Sequence, residues 1–194
     1  MELSSRAAWP IVRDVIYGDT VALNRELDHG LNPSMRLQTF MYGAEPVNES
    51  LLDLAIVSGQ RDVMRLLLAH HAFLNPSPAD EEEGRAGYLA PLPYAAQFSE
   101  DDVIRMLLAH GANIEQKNNF RPNRAPENHE TALAAAVLNG DVAGVYLLLT
   151  RGANVKTALG LPYSCDAKSR AILQLLDADG AKIRSPCEID DRTQ

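Results

Sequence analysis

The chain has 194 residues, of which 46% are hydrophobic and 23% charged, and its formal net charge is -8. This composition is typical of a folded protein and excludes an intrinsically disordered chain. The acidic balance argues against nucleic acid as a partner, since phosphate recognition needs a concentrated basic face, and it favours a protein partner with a basic surface.

Membrane insertion and secretion are not predicted. The longest apolar runs, such as TALAAAVL, are far shorter than the roughly 20 residues that span a bilayer. The start of the chain, MELSSRAAWPIV, lacks the pattern of a secretory signal. The two cysteines, Cys165 and Cys187, are too few for a disulfide framework and are not spaced as metal ligands. We therefore expect a cytoplasmic protein with reduced thiols and no cofactor.

A recurring segment organises the chain. Each copy ends at a turn residue that follows a leucine-rich stretch: Gly30, His71, Gly111, Gly152 and Gly180. Twelve residues earlier, each copy has a second predicted turn: Gly18, Gly59, Ser99, Gly140 and Lys168. The turn residues that end successive copies are 41, 40, 41 and 28 residues apart, which predicts five structural units.

Each unit has the pattern of two short helices. The first helix is small and apolar, as in ALAAAVLN, residues 132–139. The second has apolar residues at helical spacing, as at Val103, Ile104, Leu107 and Leu108. In chain order, we place the units at about 9–33, 49–76, 90–116, 130–156 and 160–183. Together they predict one domain over residues 1–184, followed by a tail at 185–194.

The segments APLPYAAQFSEDDVIRMLLAHGANIE and TALAAAVLNGDVAGVYLLLTRGANVK resemble the ankyrin repeat over its whole length. No unit keeps the threonine, proline, leucine and histidine with which the family pattern begins. The resemblance implies an all-α ankyrin-repeat solenoid of helix-turn-helix units with β-hairpin finger loops. It also implies a protein-binding module rather than an enzyme. Such a stack has no closed cavity for a substrate, so we predict no catalytic and no metal-binding residues.

Three finger loops are longer than the family norm, at residues 33–49, 76–90 and 116–130. Insertions in a solenoid fall on one face, which is often the face that binds. We therefore predict partner contacts from the fingers. The first finger supplies Phe40, Met41 and Tyr42, which either fold back onto the stack or contact a partner. The second finger carries Tyr88 and an acidic run that is either a solvated loop or an attractive surface for a basic partner: Glu81, Glu82 and Glu83. The third finger supplies Phe120, Arg121 and Arg124.

Further partner contacts are expected where the first helices end. In proteins that this chain resembles, the two residues before the internal turn face the partner. Here the pairs are Ile16–Tyr17, Val57–Ser58, Gln97–Phe98 and Leu138–Asn139. From these pairs we single out Tyr17, Gln97, Phe98, Leu138 and Asn139. The alternative for Tyr17 and Phe98 is ordinary packing under a neighbouring finger.

Histidines recur just before the turn that ends a unit, at His29, His70 and His110. Equivalent positions on adjacent units are roughly 8–10 Å apart, too far to share one zinc ion, so we expect each imidazole to cap its own helix. His71 replaces the glycine of the other units, which predicts a non-glycine residue with a positive φ.

The functional hypothesis is a non-catalytic, monomeric protein that binds a partner protein through its concave face and fingers. The specific hypothesis is a small bacterial inhibitor of the immunity type, which neutralises a basic toxin or enzyme. The alternatives are a regulatory or scaffolding subunit and a secreted, host-directed effector. A small enzyme is the rival from another class.

Overall fold

The computed structural model describes residues 5–39, 47–75, 90–118, 131–158, 161 and 166–180. These residues form nine α-helices, one short 3-10 helix and two strands. In chain order, the elements are α1 (Ser5–Tyr17), α2 (Thr20–Asp28), β1 (Arg36–Thr39), β2 (Val47–Ser50), α3 (Leu51–Val57), α4 (Arg61–Ala69), α5 (Pro91–Gln97), α6 (Asp101–Ala109), α7 (Ala132–Leu138), α8 (Val142–Thr150), the 3-10 helix Val155–Ala158 and α9 (Ala167–Ala178).

The helices pack in pairs, and the pairs stack. Within a unit, the first helix contacts the second, as α5 contacts α6 and α7 contacts α8. Between units, the first helices α1, α3, α5 and α7 contact one another in that order. The second helices also contact across units, α2 with α4, α6 with α8 and α8 with α9. The predicted all-α fold is thus confirmed, and contacts pass from each unit to its neighbour.

The core lies between successive units. Equivalent leucines of the first helices are buried in units two to four: Leu52, Leu92 and Leu133. Equivalent leucines of the second helices are buried as well: Leu67, Leu107 and Leu148. Each of these side chains belongs to one continuous apolar cluster that runs from Ile11 to Leu176. Burial of one such side chain contributes about 1.5–3 kcal/mol.

Side-chain caps fix where several helices begin. The carboxylate of Asp19 accepts a hydrogen bond of 2.9 Å from the Ala22 N–H. Asp141 and Asp166 do the same for the N–H groups of Gly144 and Ser169, at 3.0 and 2.8 Å. Each bond satisfies one of the amide donors that the first turn of a helix leaves unpaired, which is worth about 1 kcal/mol.

Left-handed residues reverse the chain at both predicted turns of a unit. His71 has a φ of 60°, which confirms the positive φ predicted from its place in the repeat. Ser99 has a φ of 54° at the internal turn of the third unit. In each case the equivalent residues of the other described turns are glycines with positive φ. The chain therefore keeps its turn geometry even where the sequence does not supply glycine.

The fifth internal turn is not where the repeat spacing predicts it. Lys168 lies inside α9, which begins at Ala167 after the Asp166 cap. The prediction of a turn at Lys168 is therefore wrong, because a capping aspartate starts a helix just before that position. The first unit also differs, since α1 begins at Ser5, four residues before the predicted start, and continues through Pro10.

The finger loops are described only at their bases. Strands β1 and β2 pair antiparallel, with Arg36 opposite Ser50 and Leu37 opposite Glu49, so the first finger begins as a hairpin. An antiparallel bridge between Lys117 and Thr131 closes the base of the third finger. Residues 40–46, 76–89 and 119–130 lie outside the described part of the chain.

Two carboxylates are buried where the first hairpin meets α3. Asp53 and Ser50 form a capping box, in which Asp53 Oδ2 accepts from the Ser50 N–H at 2.8 Å and Ser50 Oγ accepts from the Asp53 N–H at 3.1 Å. Burial raises the pKa of Asp53 to about 6, although the positive charge of Arg36 opposes the shift. Glu49, which is also buried, adds a negative charge that raises the pKa further.

His71→Gly is expected to stabilise the protein. The left-handed conformation costs a non-glycine residue about 1–2 kcal/mol, and the greater freedom of glycine in the unfolded chain offsets part of that gain. We expect the free energy of unfolding to rise by roughly 0.5–1 kcal/mol, measured by urea denaturation. The control is His110→Gly, because His110 has a φ of -93° and should lose stability instead. A fall in stability for His71→Gly would contradict the strained-turn interpretation.

Asp53→Asn is expected to flatten the pH dependence of stability. The folded-state pKa of Asp53, about 6, lies above the ordinary value of 3.8. The contribution of Asp53 to the free energy of unfolding is therefore complete below pH 3.8. It is lost as the pH rises through 6, and the loss is about 3 kcal/mol. Unfolding free energies measured between pH 4 and 8 should fall less in the variant than in the unmodified protein. Asp62→Asn removes the same charge at an exposed site and is the control for the change in net charge.

Candidate functional site

The ends of four successive first helices form a row, here called the tip row. It consists of the pairs Ile16–Tyr17, Val57–Ser58, Gln97–Phe98 and Leu138–Asn139. Because α1, α3, α5 and α7 contact one another in sequence, these ends lie side by side. The internal turn that follows each pair leads directly into the second helix. The row therefore marks the edge at which each of these four units reverses direction.

The predicted contact residues of the tip row are exposed. Tyr17 is 79% exposed, Phe98 47% and Leu138 41%, while Gln97 and Asn139 are also exposed. Val57 and Ser58, the pair of the second unit, are half-buried. The alternative for Tyr17 and Phe98, packing under a neighbouring finger, involves finger residues that lie outside the described part of the chain. Exposed aromatic side chains on a rigid surface are typical of protein contact sites.

Phe98 is held in place by an aromatic neighbour. Its ring meets the buried ring of Tyr94 edge-on, with ring centroids 5.1 Å apart and an interplanar angle of 83°. Edge-to-face aromatic pairs contribute about 0.5–1.5 kcal/mol beyond the area that they bury. Phe98 therefore presents an exposed surface from a fixed position, so little side-chain freedom remains to be lost on binding.

Hydrogen bonds between units fix the spacing of the tips. The Asn139 side chain donates to the Gln97 carbonyl at 2.6 Å and to the Ala96 carbonyl at 3.2 Å. At the first junction, the Gln60 side chain donates to the Ile16 carbonyl at 2.9 Å. These carbonyls lie at the ends of the first helices, where the backbone provides no donor four residues further along the helix. Asn139 thus has a structural role besides the contact role predicted for it.

Glycine at position 18 is required by this arrangement. Gly18 has a φ of 77°, and a Cβ there would collide with the Gln60 side-chain oxygen. The absence of a side chain at position 18 therefore permits both the left-handed internal turn and the hydrogen bond from Gln60 to the first helix. The junction between units two and three is tied differently, by an ion pair of 2.7 Å between Arg61 and Glu100.

The carboxylates of Asp101 and Asp141 lie near each other where α6 and α8 begin. Asp141 caps α8, and a Cβ at Gly144 would collide with its carboxylate and lie 3.4 Å from Asp101 Oδ1. Asp101 Oδ1 and Asp141 Oδ2 are buried, and no described residue hydrogen-bonds either atom. Burial and the negative charge of Asp141 raise the pKa of Asp101, and Arg105 opposes the shift.

The predicted contact residues of the fingers lie outside the described residues. They are Phe40, Met41, Tyr42, Glu81, Glu82, Glu83, Tyr88, Phe120, Arg121 and Arg124. Their participation in the site stays a prediction from the sequence. The bases of the first and third fingers leave the stack next to α3 and α7, the first helices of the second and fourth units.

The recurring histidines occupy the ends of second helices, but only one caps its own helix through its ring. His110 Nδ1 bonds the Met106 carbonyl at 2.9 Å, as predicted. His70 instead contacts Asn24 of the preceding unit, with 3.2 Å between Nε2 and Oδ1. The expectation for His70 is wrong because the side chain of the adjacent second helix is within reach. Over the described residues, no three His, Cys, Asp or Glu side chains converge as metal ligands.

Phe73 and Tyr146 are exposed aromatic residues that were not predicted from the sequence. Phe73 is 75% exposed in the loop after α4, and Tyr146 is 59% exposed on α8. A comparison of units could have found both. In the first four units, the residues equivalent to Phe73 are Asn32, Asn113 and Asn154, and those equivalent to Tyr146 are Asn24, Arg65 and Arg105. Each aromatic residue thus stands where the other units have a polar one.

Comparison with known proteins gives a match for two of the units. Residues 92–149 match the family model of ankyrin repeats, described as occurring in many copies. The match spans the third and fourth units, from Leu92 in α5 to Leu149 in α8. No curated protein matches the sequence significantly. Within the described part of the chain, no helix has the length and apolar character needed to cross a membrane. Ankyrin repeats are generally modules for protein–protein interaction.

Asp101→Asn is expected to stabilise the protein at neutral pH. The pKa of Asp101 is raised in the folded state. Its contribution to the free energy of unfolding is therefore complete below the unfolded-state pKa and is lost as the pH rises through the folded-state pKa. The amide removes the repulsion and offers a donor to Asp141. The melting temperature at pH 7 should therefore rise, and the advantage should shrink in acid.

Asp102→Asn is the matched control, since Asp102 is the exposed neighbour on the same helix turn. It makes the same change in net charge without touching the buried pair. An equal gain in melting temperature for both variants would mean that overall charge, rather than the contact with Asp141, sets the stability.

Proposed function

We propose that this ankyrin repeat protein binds a partner protein through its tip row and finger loops, and that it has no catalytic activity of its own. The observation that carries the proposal is the exposure of Tyr17, Phe98 and Leu138 on the ends of stacked first helices. Large apolar side chains on a rigid edge offer anchors that a partner can cover.

The dimensions of the tip row suit a protein surface. Neighbouring helices are roughly 8–10 Å apart, so the row from the first to the fourth unit extends over roughly 24–30 Å. A stable interface buries about 800 Å² on each partner, a patch of comparable width. The hydrogen bonds from Gln60 and Asn139 hold the tips at fixed spacing, which lowers the entropy that binding must overcome.

The finer proposal is a small bacterial inhibitor of the immunity type that neutralises a basic toxin or enzyme. The net charge of -8 and the acidic run at Glu81, Glu82 and Glu83 support it, because a negative surface attracts a basic partner and accelerates encounter. A cytoplasmic location and a monomeric state belong to the same proposal.

The main alternatives are a regulatory or scaffolding subunit and a secreted, host-directed effector. An inhibitor abolishes the activity of its partner at a 1:1 ratio, whereas a regulatory subunit changes that activity without abolishing it. A titration of the partner's activity with this protein therefore separates the two. A small enzyme is the remaining rival, and turnover of a substrate by the isolated chain would establish it.

The contact surface is tested with a triple variant, Tyr17→Ala, Phe98→Ala and Leu138→Ala. The partner is first identified by tagged capture from native lysate and mass spectrometry, and the affinity is then measured by surface plasmon resonance. Interface anchors contribute 2 kcal/mol or more each, so the triple variant should bind at least about 100-fold more weakly. The dissociation rate should carry most of the change.

Tyr146→Ala is the control for lost aromatic surface. Tyr146 is an exposed aromatic residue on the second helix of the fourth unit, away from the tip row. Its replacement should leave the affinity within about twofold of the unmodified protein. Equal losses in the two variants, or none in the triple variant, would show that the partner binds elsewhere.

A further inference from the structure

The loop after α4, residues 71–75, departs twice from the pattern of its own repeat. His71 adopts a φ of 60° where the equivalent residues are glycines. Phe73 occupies a position at which the equivalent asparagines accept a hydrogen bond from the N–H two residues on. Those asparagines are Asn32, Asn113 and Asn154. This loop therefore lacks a turn-stabilising bond and carries a strained residue, and such local departures concentrate at functional sites.

The loop is nevertheless held from both sides. The Phe73 N–H donates to Ser34 Oγ of the first unit at 2.8 Å. The Asn75 side chain accepts from the Asn113 N–H at 2.7 Å and donates to the Gly111 carbonyl at 3.3 Å, both in the third unit. Phe73 is therefore an exposed aromatic residue on an anchored backbone, which is the form that interface anchors take.

A groove of about 400 Å³ lies beside Phe73, between the ends of α4 and α6. Leu68, Ala72 and Leu74 supply its apolar lining, and His71 and His110 line it with imidazoles. No carboxylate, lysine or arginine is among the lining residues that the structure describes. The volume lies near the lower end of the roughly 300–1,000 Å³ typical of ligand sites, which suits one large side chain.

His110 gives the groove a directional polar group. Its Nδ1 bonds the Met106 carbonyl, and a carbonyl can only accept, so Nδ1 carries the hydrogen. In the neutral imidazole, Nε2 is then an acceptor. Among the described residues, none hydrogen-bonds this nitrogen. The groove therefore combines an aromatic edge and an aliphatic lining with the acceptor nitrogen of His110.

We propose that this groove receives a tryptophan or tyrosine side chain of a partner protein. The aromatic body would pack on Phe73 and the aliphatic lining, and the indole N–H or phenol O–H would donate to His110 Nε2. A charged side chain would find no opposite charge among the described lining residues, and an aliphatic one would leave the acceptor unused. A second copy of the chain is disfavoured because each copy has a net charge of -8. This inference rests on the proposed function, and it adds a contact at the opposite ends of the second helices from the tip row.

The test uses single-residue probes, since these do not require the partner. Titration of the full chain with N-acetyl-tryptophanamide or N-acetyl-tyrosinamide, followed by amide NMR, should shift the signals of Phe73 and His110 with a dissociation constant on the order of a millimolar. N-acetyl-leucinamide should bind at least about fivefold more weakly. The N1-methylated tryptophan probe, which lacks the indole donor, should also bind at least about threefold more weakly. Equal affinity for the leucine probe, or shifts confined to other residues, would overturn the proposal.

Phe73→Asn separates binding from folding. It introduces the residue that three other units have at this position, so the variant should fold and unfold at no lower temperature while losing the probe-induced shifts. Tyr146→Asn removes an exposed aromatic residue elsewhere and should bind the tryptophan probe normally. Unchanged binding by Phe73→Asn would refute the groove.

The same variants distinguish this inference from the proposed function. Partner binding that the triple tip variant abolishes and Phe73→Asn leaves intact would refute the groove alone. Partner binding lost in Phe73→Asn and retained in the triple tip variant would refute the tip row and support the groove.

Discussion

A pair of short helices cannot bury its own apolar residues, and every other feature of this chain depends on that limit. Each helix of the inner units has seven or nine residues, too few to be stable alone in water. Leu92 of α5 and Leu107 of α6 are buried because neighbouring units cover them. Stability is therefore shared along the stack, and each unit exposes only its edges and its outer face.

One polar contact repeats along the stack and keeps the units in step. At three successive junctions, the backbone N–H of the second residue after the unit-ending turn donates to a side chain of the preceding unit. The acceptors are Ser34, Asn75 and Glu115, at 2.8, 2.7 and 2.7 Å. Three different side chains make the same bond, so its geometry is set by the spacing of the units. Apolar packing brings the units together, and this bond fixes their register.

The repeat made much of the fold predictable from the sequence. Spacing located the turns at His71 and Ser99 although neither is glycine, because the alignment of units carries more information than the residue itself. It failed at Lys168, where the Asp166 cap starts a helix within a shortened unit. Burial of Asp53 and Glu49 was also beyond reach, since nothing in their local sequence shows that β1 pairs with the strand that carries Glu49, next to α3.

The candidate surfaces were harder to predict because exposure is decided by what the stack leaves uncovered. The tip row followed from the resemblance to ankyrin repeats, and its exposed residues are where that resemblance places them. The exposure of Phe73 was not predicted, because a hydrophobic residue in a leucine-rich segment is expected to be buried. Within the sequence, only the comparison with the asparagines of the other units indicates that this position faces solvent.

The two surfaces lie at opposite ends of the second helices, and this separation limits what one partner can do. Helix α6 has nine residues and is therefore roughly 13 Å long. An extended segment of about four or five residues could connect a side chain in the groove with a contact at the tips. The second helices lie between the two surfaces, and α4 and α6 expose charged residues there, such as Arg65 and Arg105. A partner segment that spans both surfaces would therefore need aromatic ends and a polar middle, a pattern that can be recognised in the partner's own sequence.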